Sequence, residues 1–151
     1  MKSIQNQALT EGSKSSDVLQ QPSSSSQEGS TLSVKPVSKL FITLMQHLQD
    51  SLGDKDFSGN MAVCLFMVAA SDANNPLGVL ELGKQLDMSA ASTSRMVAAL
   101  GRGLRDKEGL GLIEATEDPS NWSRKLVRIT PKGIRLVESL GDRLIAGMRR
   151  M

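Results

Sequence analysis

The chain has 151 residues, with 18 Lys and Arg against 16 Asp and Glu, a formal charge of +2. That length suits one domain plus a tail. The single cysteine, Cys64, excludes an internal disulfide and a cysteine-rich metal site, and the single histidine, His47, excludes a histidine metal cluster or a Ser-His-Asp triad elsewhere.

No basic segment followed by an apolar stretch and a cleavage site opens the chain, and no run is apolar enough to span a bilayer. The expectation is a cytoplasmic protein without a membrane segment. The charge is unevenly spread. Residues 79–135 hold ten Lys and Arg against seven Asp and Glu, a mild basic excess in the most strongly patterned region.

Residues 1–33 are dominated by Ser, Gln and Gly with no apolar periodicity. Such a segment buries too little surface to offset its chain entropy, so a disordered tail is expected there and one folded domain over 34–151. In "KPVSKLFITLMQHLQDSL", 35–52, Val37, Leu40, Phe41, Leu44, Leu48 and Leu52 recur at helical spacing, and Gly53 is a suitable stop. His47 reads as a surface or interface residue of that helix. "GNMAVCLFMVAASDA", 59–73, is apolar nearly all round and reads as a buried helix, with Cys64 a plain core residue.

After the turn signal Asn74-Asn75-Pro76 comes "VLELGKQLDMSAASTSRMVAALGRG". Val79, Leu82 and Leu86 mark the inner face of a short helix, and Gly83 admits a second helix closely. Asp87 and Met88 form a tight connection. Ser89 is a good N-cap for the next helix, whose inner face carries Thr93, Met96, Val97 and Leu100. This is a helix-turn-helix pattern. The outward residues near its second N-terminus are small: Ala90, Ala91, Ser92 and Ser94. Small residues let a helix end descend into the major groove of DNA, where serines bond phosphates or base edges and alanine meets a thymine methyl. Arg95 is the natural guanine or phosphate reader, and Arg102 follows at the helix end.

"LIEAT", 112–116, and "RKLVRI", 124–129, read as two strands flanking a polar turn, Glu117–Ser123. In strict alternation Lys125, Val127 and Ile129 share one face, and Arg124, Leu126 and Arg128 the other. A hairpin directly after a helix-turn-helix is a wing, and Arg124, Lys125 and Arg128 are its candidates for the backbone or minor groove. Thr130 caps a last helix with Pro131 at its first position. That helix carries Ile134, Val137, Leu140 or Gly141, Leu144 and Met148 as an apolar stripe in need of cover.

In the order and spacing of "LELGKQLDMSAASTSRMVAAL", "GLIEATEDP" and "KLVRITPKGIRLVESL", the chain resembles the MarR family of winged-helix regulators over about 35–150. The resemblance implies a mainly α winged helix-turn-helix with a small β-hairpin wing, dimerising through its first and last helices, here about 35–52 and 131–150. It implies a homodimer on near-palindromic double-stranded DNA, usually a repressor, and a small anionic or phenolic effector. Two departures stand out. The Asp-x-Arg common at the family's wing tip falls on Asn121, Trp122 and Ser123. The link "GRGLRDKEGLG" is several residues longer than usual, and its glycines argue for a broken helix and loop.

Trp122 is one of four aromatic residues. It either folds over its own hairpin, against Leu126 or the stem of Arg124, or reaches DNA. The DNA-binding candidates are thus Ser89, Ala90, Ala91, Ser92, Ser94, Arg95, Arg102, Trp122, Arg124, Lys125 and Arg128. No catalytic, metal-ligating or cofactor-binding set emerges, so an enzyme is not expected. The alternative reading is a non-regulatory winged-helix accessory factor or a protein-binding module.

Overall fold

The structure is a computed structural model that describes residues 33–54 and 56–151. The tail expected over 1–33 lies outside the described residues, apart from Ser33. The elements are α1 (Val34–Leu52), α2 (Gly59–Ala70), α3 (Val79–Gln85), α4 (Ala90–Leu100), β1 (Gly103–Leu104), β2 (Lys107–Glu108), β3 (Ile113–Asp118), β4 (Asn121–Ile129) and α5 (Pro131–Arg149).

Helix boundaries follow local chemistry. Gly53 closes α1 in the left-handed region at φ 62°. Ser58 caps α2 by accepting from the Met61 N–H at 3.3 Å. That helix stops at Ala70, three residues before the expected end. The Ser71 hydroxyl donates to the Val68 carbonyl, and the Asp72 carboxylate accepts from the Asn74 N–H. Ser and Asp here offer the backbone a turn in place of another helical bond. Nor is α2 buried all round, since Val63 is exposed. Cys64 lies in the core, where burial pushes its thiol up to about 11.

One core joins Leu48 of α1, Ala62, Leu65 and Val68 of α2, Leu82 of α3, and Met96, Val97 and Leu100 of α4. Leu112, Ile113 and Val127 at the wing root and Leu140 of α5 complete it. Helices α3 and α4 pack as expected around Gly83. A Cβ there would lie 2.7 Å from Thr93 Oγ1, and that hydroxyl is itself held by the Ser89 carbonyl at 2.9 Å. Between them Asp87 takes a left-handed φ of 52°, a conformation Asp tolerates better than most residues.

The link after α4 departs from expectation. It forms a small hairpin, with Gly103 opposite Glu108 and Leu104 opposite Lys107. Gly103 has φ 100°, open to glycine and strained for other residues. The wing strands β3 and β4 pair from Ile113 with Ile129 out to Asp118 with Asn121, so they reach much nearer the tip than predicted. The turn proper is Pro119–Ser120, and Trp122 belongs to a strand. Alternation on β4 fails at its root, where Leu126 and Val127 are both buried. Gly78 forms an antiparallel bridge with Leu126, and the Val127 N–H donates to the Leu77 carbonyl at 2.8 Å. The segment before α3 thereby serves as a third, very short strand.

Helix α5 begins on the Thr130 hydroxyl, which accepts from the Gly133 N–H and donates to the Gly111 carbonyl. It packs on α1 of the same chain, where His47 Nε2 lies 3.2 Å from Ser139 Oγ. No helix among the described residues is long and apolar enough to cross a membrane.

Gly83→Ala replaces a poor helix former with a good one, a gain of up to about 1 kcal/mol at an open site. Here the crowding against Thr93 outweighs it, and a net loss of about 1–2 kcal/mol is expected in urea denaturation. A stabilised variant would show that α3 and α4 are not so closely packed.

Candidate nucleic-acid interface

The exposed end of α4 starts with its cap. Ser89 is extended at φ −63°, ψ 153°, and its hydroxyl accepts from the Ser92 N–H at 3.2 Å. The same hydroxyl donates to Ser92 Oγ at 3.0 Å, and Arg95 Nη2 reaches Ser92 Oγ at 3.4 Å. Ser89, Ser92 and Arg95 therefore form a ladder along one side of the helix. Ala90, Ala91, Ser94 and Arg95 are exposed. The opposite face, Thr93, Met96, Val97 and Leu100, is buried as the periodicity required. Arg102 is exposed just past the helix end.

The wing is tied to the body through ion pairs. Arg124 Nη2 donates to Glu81 Oε1 at 2.6 Å, and Nη1 to Asp118 Oδ2 at 3.4 Å. These are the ion pairs found among the described residues, and both belong to one guanidinium. Glu81 is the third residue of α3, and its other oxygen accepts from the Gly78 N–H at 3.0 Å. One carboxylate thus closes the first turn of α3 and grips β4. Asp118 accepts from the Ser120 N–H at 2.9 Å and hydroxyl at 2.6 Å. The sequence placed Arg124 among the DNA-contact candidates; in the structure its guanidinium pairs with Glu81 and Asp118 while its side chain stays 36% exposed. Neither acid was singled out in the sequence, because the partners lie 43 and six residues away.

Both carboxylates sit below their ordinary range. For Glu81 the main cause is the Gly78 N–H bond, opposed by desolvation and helped by the Arg124 charge. For Asp118 the Ser120 bonds lead, and Arg124 adds to them.

Between α3, α4 and β4 lies a cleft of about 490 Å³, its lining including Lys84, Ser94, Asn121, Ser123 and Lys125. Lys84 was not anticipated; it is brought beside Lys125 only by the docking of the wing on α3. Arg128 reaches Thr116 Oγ1 at 3.5 Å across the hairpin. Trp122 is 78% exposed. It does not fold over its hairpin onto Leu126 or Arg124, since such packing would cover most of the indole. No group of three or more His, Cys, Asp or Glu among the described residues could hold a metal ion.

No family model matches the chain. No curated protein matches it in sequence. Its likeness is to solved folds. The MepR–DNA complex of S. aureus aligns with a TM-score of 0.60 at 19% identity, covering 76% of this chain and 83% of that one. A MepR mutant bound to an oligodeoxyribonucleotide gives 0.60 at 19%, covering 76% and 73%. RV1404 from Mycobacterium tuberculosis gives 0.57 at 18%, covering 76% and 70%. At these identities the likeness establishes the architecture alone, a winged helix-turn-helix of the fold seen in MepR.

The tie between wing and α3 carries a pH signature. A carboxylate with a lowered folded pKa contributes stability that is complete above its unfolded value, about 4.3 for Glu, and is lost as pH falls through the folded value. Glu81→Gln removes that contribution. The urea midpoint of the native chain should exceed that of the variant at about pH 6 and converge with it as the medium is acidified below about pH 4. A gap that stayed constant with pH would reject the assignment.

Proposed function

We propose that the chain is a sequence-specific double-stranded DNA-binding transcriptional regulator acting as a homodimer. The observation that carries this reading is the capped, small-residue end of α4 beside a lysine-bearing cleft. Ala90, Ala91, Ser92 and Ser94 let the helix end approach base edges closely, and Arg95 supplies the long donor. The free N–H groups of the first turn favour phosphate. Lys84 and Lys125 stand on either side of the cleft to hold backbone, with Arg102 and Arg128 flanking. MepR, which has this fold, has been solved in complex with DNA. Repression is the mode that the sequence resemblance implies.

The dimer reading rests on what α1 and α5 leave uncovered. Much of the apolar stripe of α5 is absorbed by its own chain, Leu140 fully and Val137 in part. Phe41 and Ile42 on α1, and Ile134, Ile145 and Met148 on α5, remain exposed. A groove of about 740 Å³ between these helices, bordered by Lys39, Leu40, Arg143 and Met151, adjoins them. Covering such a surface calls for a partner, and a second copy presents the matching one. A two-fold pair would set two α4 helices about one DNA turn, roughly 34 Å, apart.

Arg95→Ala should cost about 1–3 kcal/mol on the selected operator and relax the preference at one position. The double change Lys84→Ala with Lys125→Ala should weaken binding to all duplexes and flatten the salt dependence by about two phosphate contacts. Gel shifts across a salt series read both, and an unaltered slope would take the lysines out of this role. In sedimentation experiments the native chain should run as a dimer, and Phe41→Asp with Met148→Asp as a folded monomer. A native chain that sediments as a monomer at high concentration would overturn the dimer.

A further inference from the structure

The wing tip has no cation of its own. Residues 117–123, Glu-Asp-Pro-Ser-Asn-Trp-Ser, carry two acids and no Lys or Arg. The guanidinium next along β4, Arg124, is held by Glu81 and Asp118. The largest group offered to solvent there is the indole of Trp122, at 78% exposure. The tip beneath it is stiffened. Asp118 Oδ1 accepts from the Ser120 N–H at 2.9 Å, and Asn121 Oδ1 accepts from the Ser123 N–H at 3.2 Å. One such turn spans Pro119 and the other spans Trp122, and together they restrict the backbone that presents the indole. Asn121 and Ser123, its chain neighbours, line the cleft that also holds Ser94 and Lys125, so the strand segment that carries Trp122 borders the proposed DNA face.

We propose that this wing engages the minor groove of the flanking duplex through the Trp122 indole rather than through a guanidinium. This rests on the DNA-binding reading above. An arginine in the minor groove is drawn by the strong negative potential of narrow A-tracts. An indole has no such charge. It gains by packing on deoxyribose walls and on opened base steps, which flexible pyrimidine–purine steps provide at least cost. The wing therefore selects flanks by deformability, and its contact is nearly independent of salt. Arg124 serves as the positioning residue that aims the strand.

Selection of bound duplexes from a random library, with the native full-length chain, comes first. Enrichment of one near-palindrome establishes the DNA reading, and failure to enrich any duplex overturns that reading and this one together. On the enriched site, Trp122→Ala should weaken binding roughly tenfold or more, the loss expected for uncovering a large apolar side chain. Its salt slope should match that of the native chain. Trp122→Phe should recover part of the affinity. Trp122→Arg should steepen the salt slope by about one phosphate equivalent and shift the enriched flanks towards A-tracts. Trp122 emission should change on adding the native operator. An enriched operator bound equally well by the native chain and Trp122→Ala, with unchanged flanks and emission, would overturn the inference while leaving the DNA reading intact.

Discussion

The orientation of the wing depends on one guanidinium. A two-stranded hairpin has little stability by itself and needs a body to lie against. Here its root is buried through Leu112, Ile113 and Val127, and Leu77 and Gly78 add a short strand alongside β4. Farther out, Arg124 spans Glu81 of α3 and Asp118 at the end of β3. Each contact is partly open to water, and such pairs contribute roughly 0–1 kcal/mol each. Their importance is geometric. Glu81 shares its carboxylate between the Gly78 N–H and Arg124, so the first turn of α3 and the outer part of the wing are fixed to one group.

The same arrangement redistributes charge. Engaging Arg124 with two acids compensates its charge within the protein, although its side chain stays 36% exposed. The other cations around the α4 end are Lys84 and Lys125 at the cleft and Arg95 on α4, with Arg102 and Arg128 flanking. Placing an indole instead of a guanidinium at the tip follows the same economy. On the proposed reading, charge acts near the recognition helix, and apolar contact acts at the flank. The modest overall charge of +2 is compatible with that division, because the net basic excess falls within residues 79–135, which carry α3, α4 and the wing.

Much of the architecture was legible without coordinates. Helices α1, α4 and α5 combine apolar spacing with recognisable ends: Gly53, Ser89, and Thr130 followed by Pro131. Spacing and caps are local, so they survive being read in isolation. The end of α2 was misjudged because an apolar run continues no helix once Ser71 and Asp72 compete for the backbone. The small β1–β2 hairpin was read as loop, since four glycines obscure a two-residue pairing. On the α4 face, the sequence identified the exposed residues but not their mutual bonding. On the wing it named Arg124 as a DNA-contact candidate but not its ion pairs with Glu81, 43 positions away, and Asp118.

Local chemistry along the chain determined the order of the helices, the helix-turn-helix, the existence of a wing and the buried face of α4, because periodicity and capping need no distant partner. Tertiary structure decided what distant segments do to one another. Gly133 illustrates the difference: a Cβ there would run into the Leu112 carbonyl oxygen, so the glycine in Thr-Pro-Lys-Gly is required by the strand below it, not by its own helix. Likewise Lys84 and Lys125 come to line one cleft only when the wing docks, Arg124 finds Glu81 across 43 positions, and Trp122 is left exposed because no described element covers the tip. Those facts arise from contact between separated parts of the chain, which no local pattern encodes.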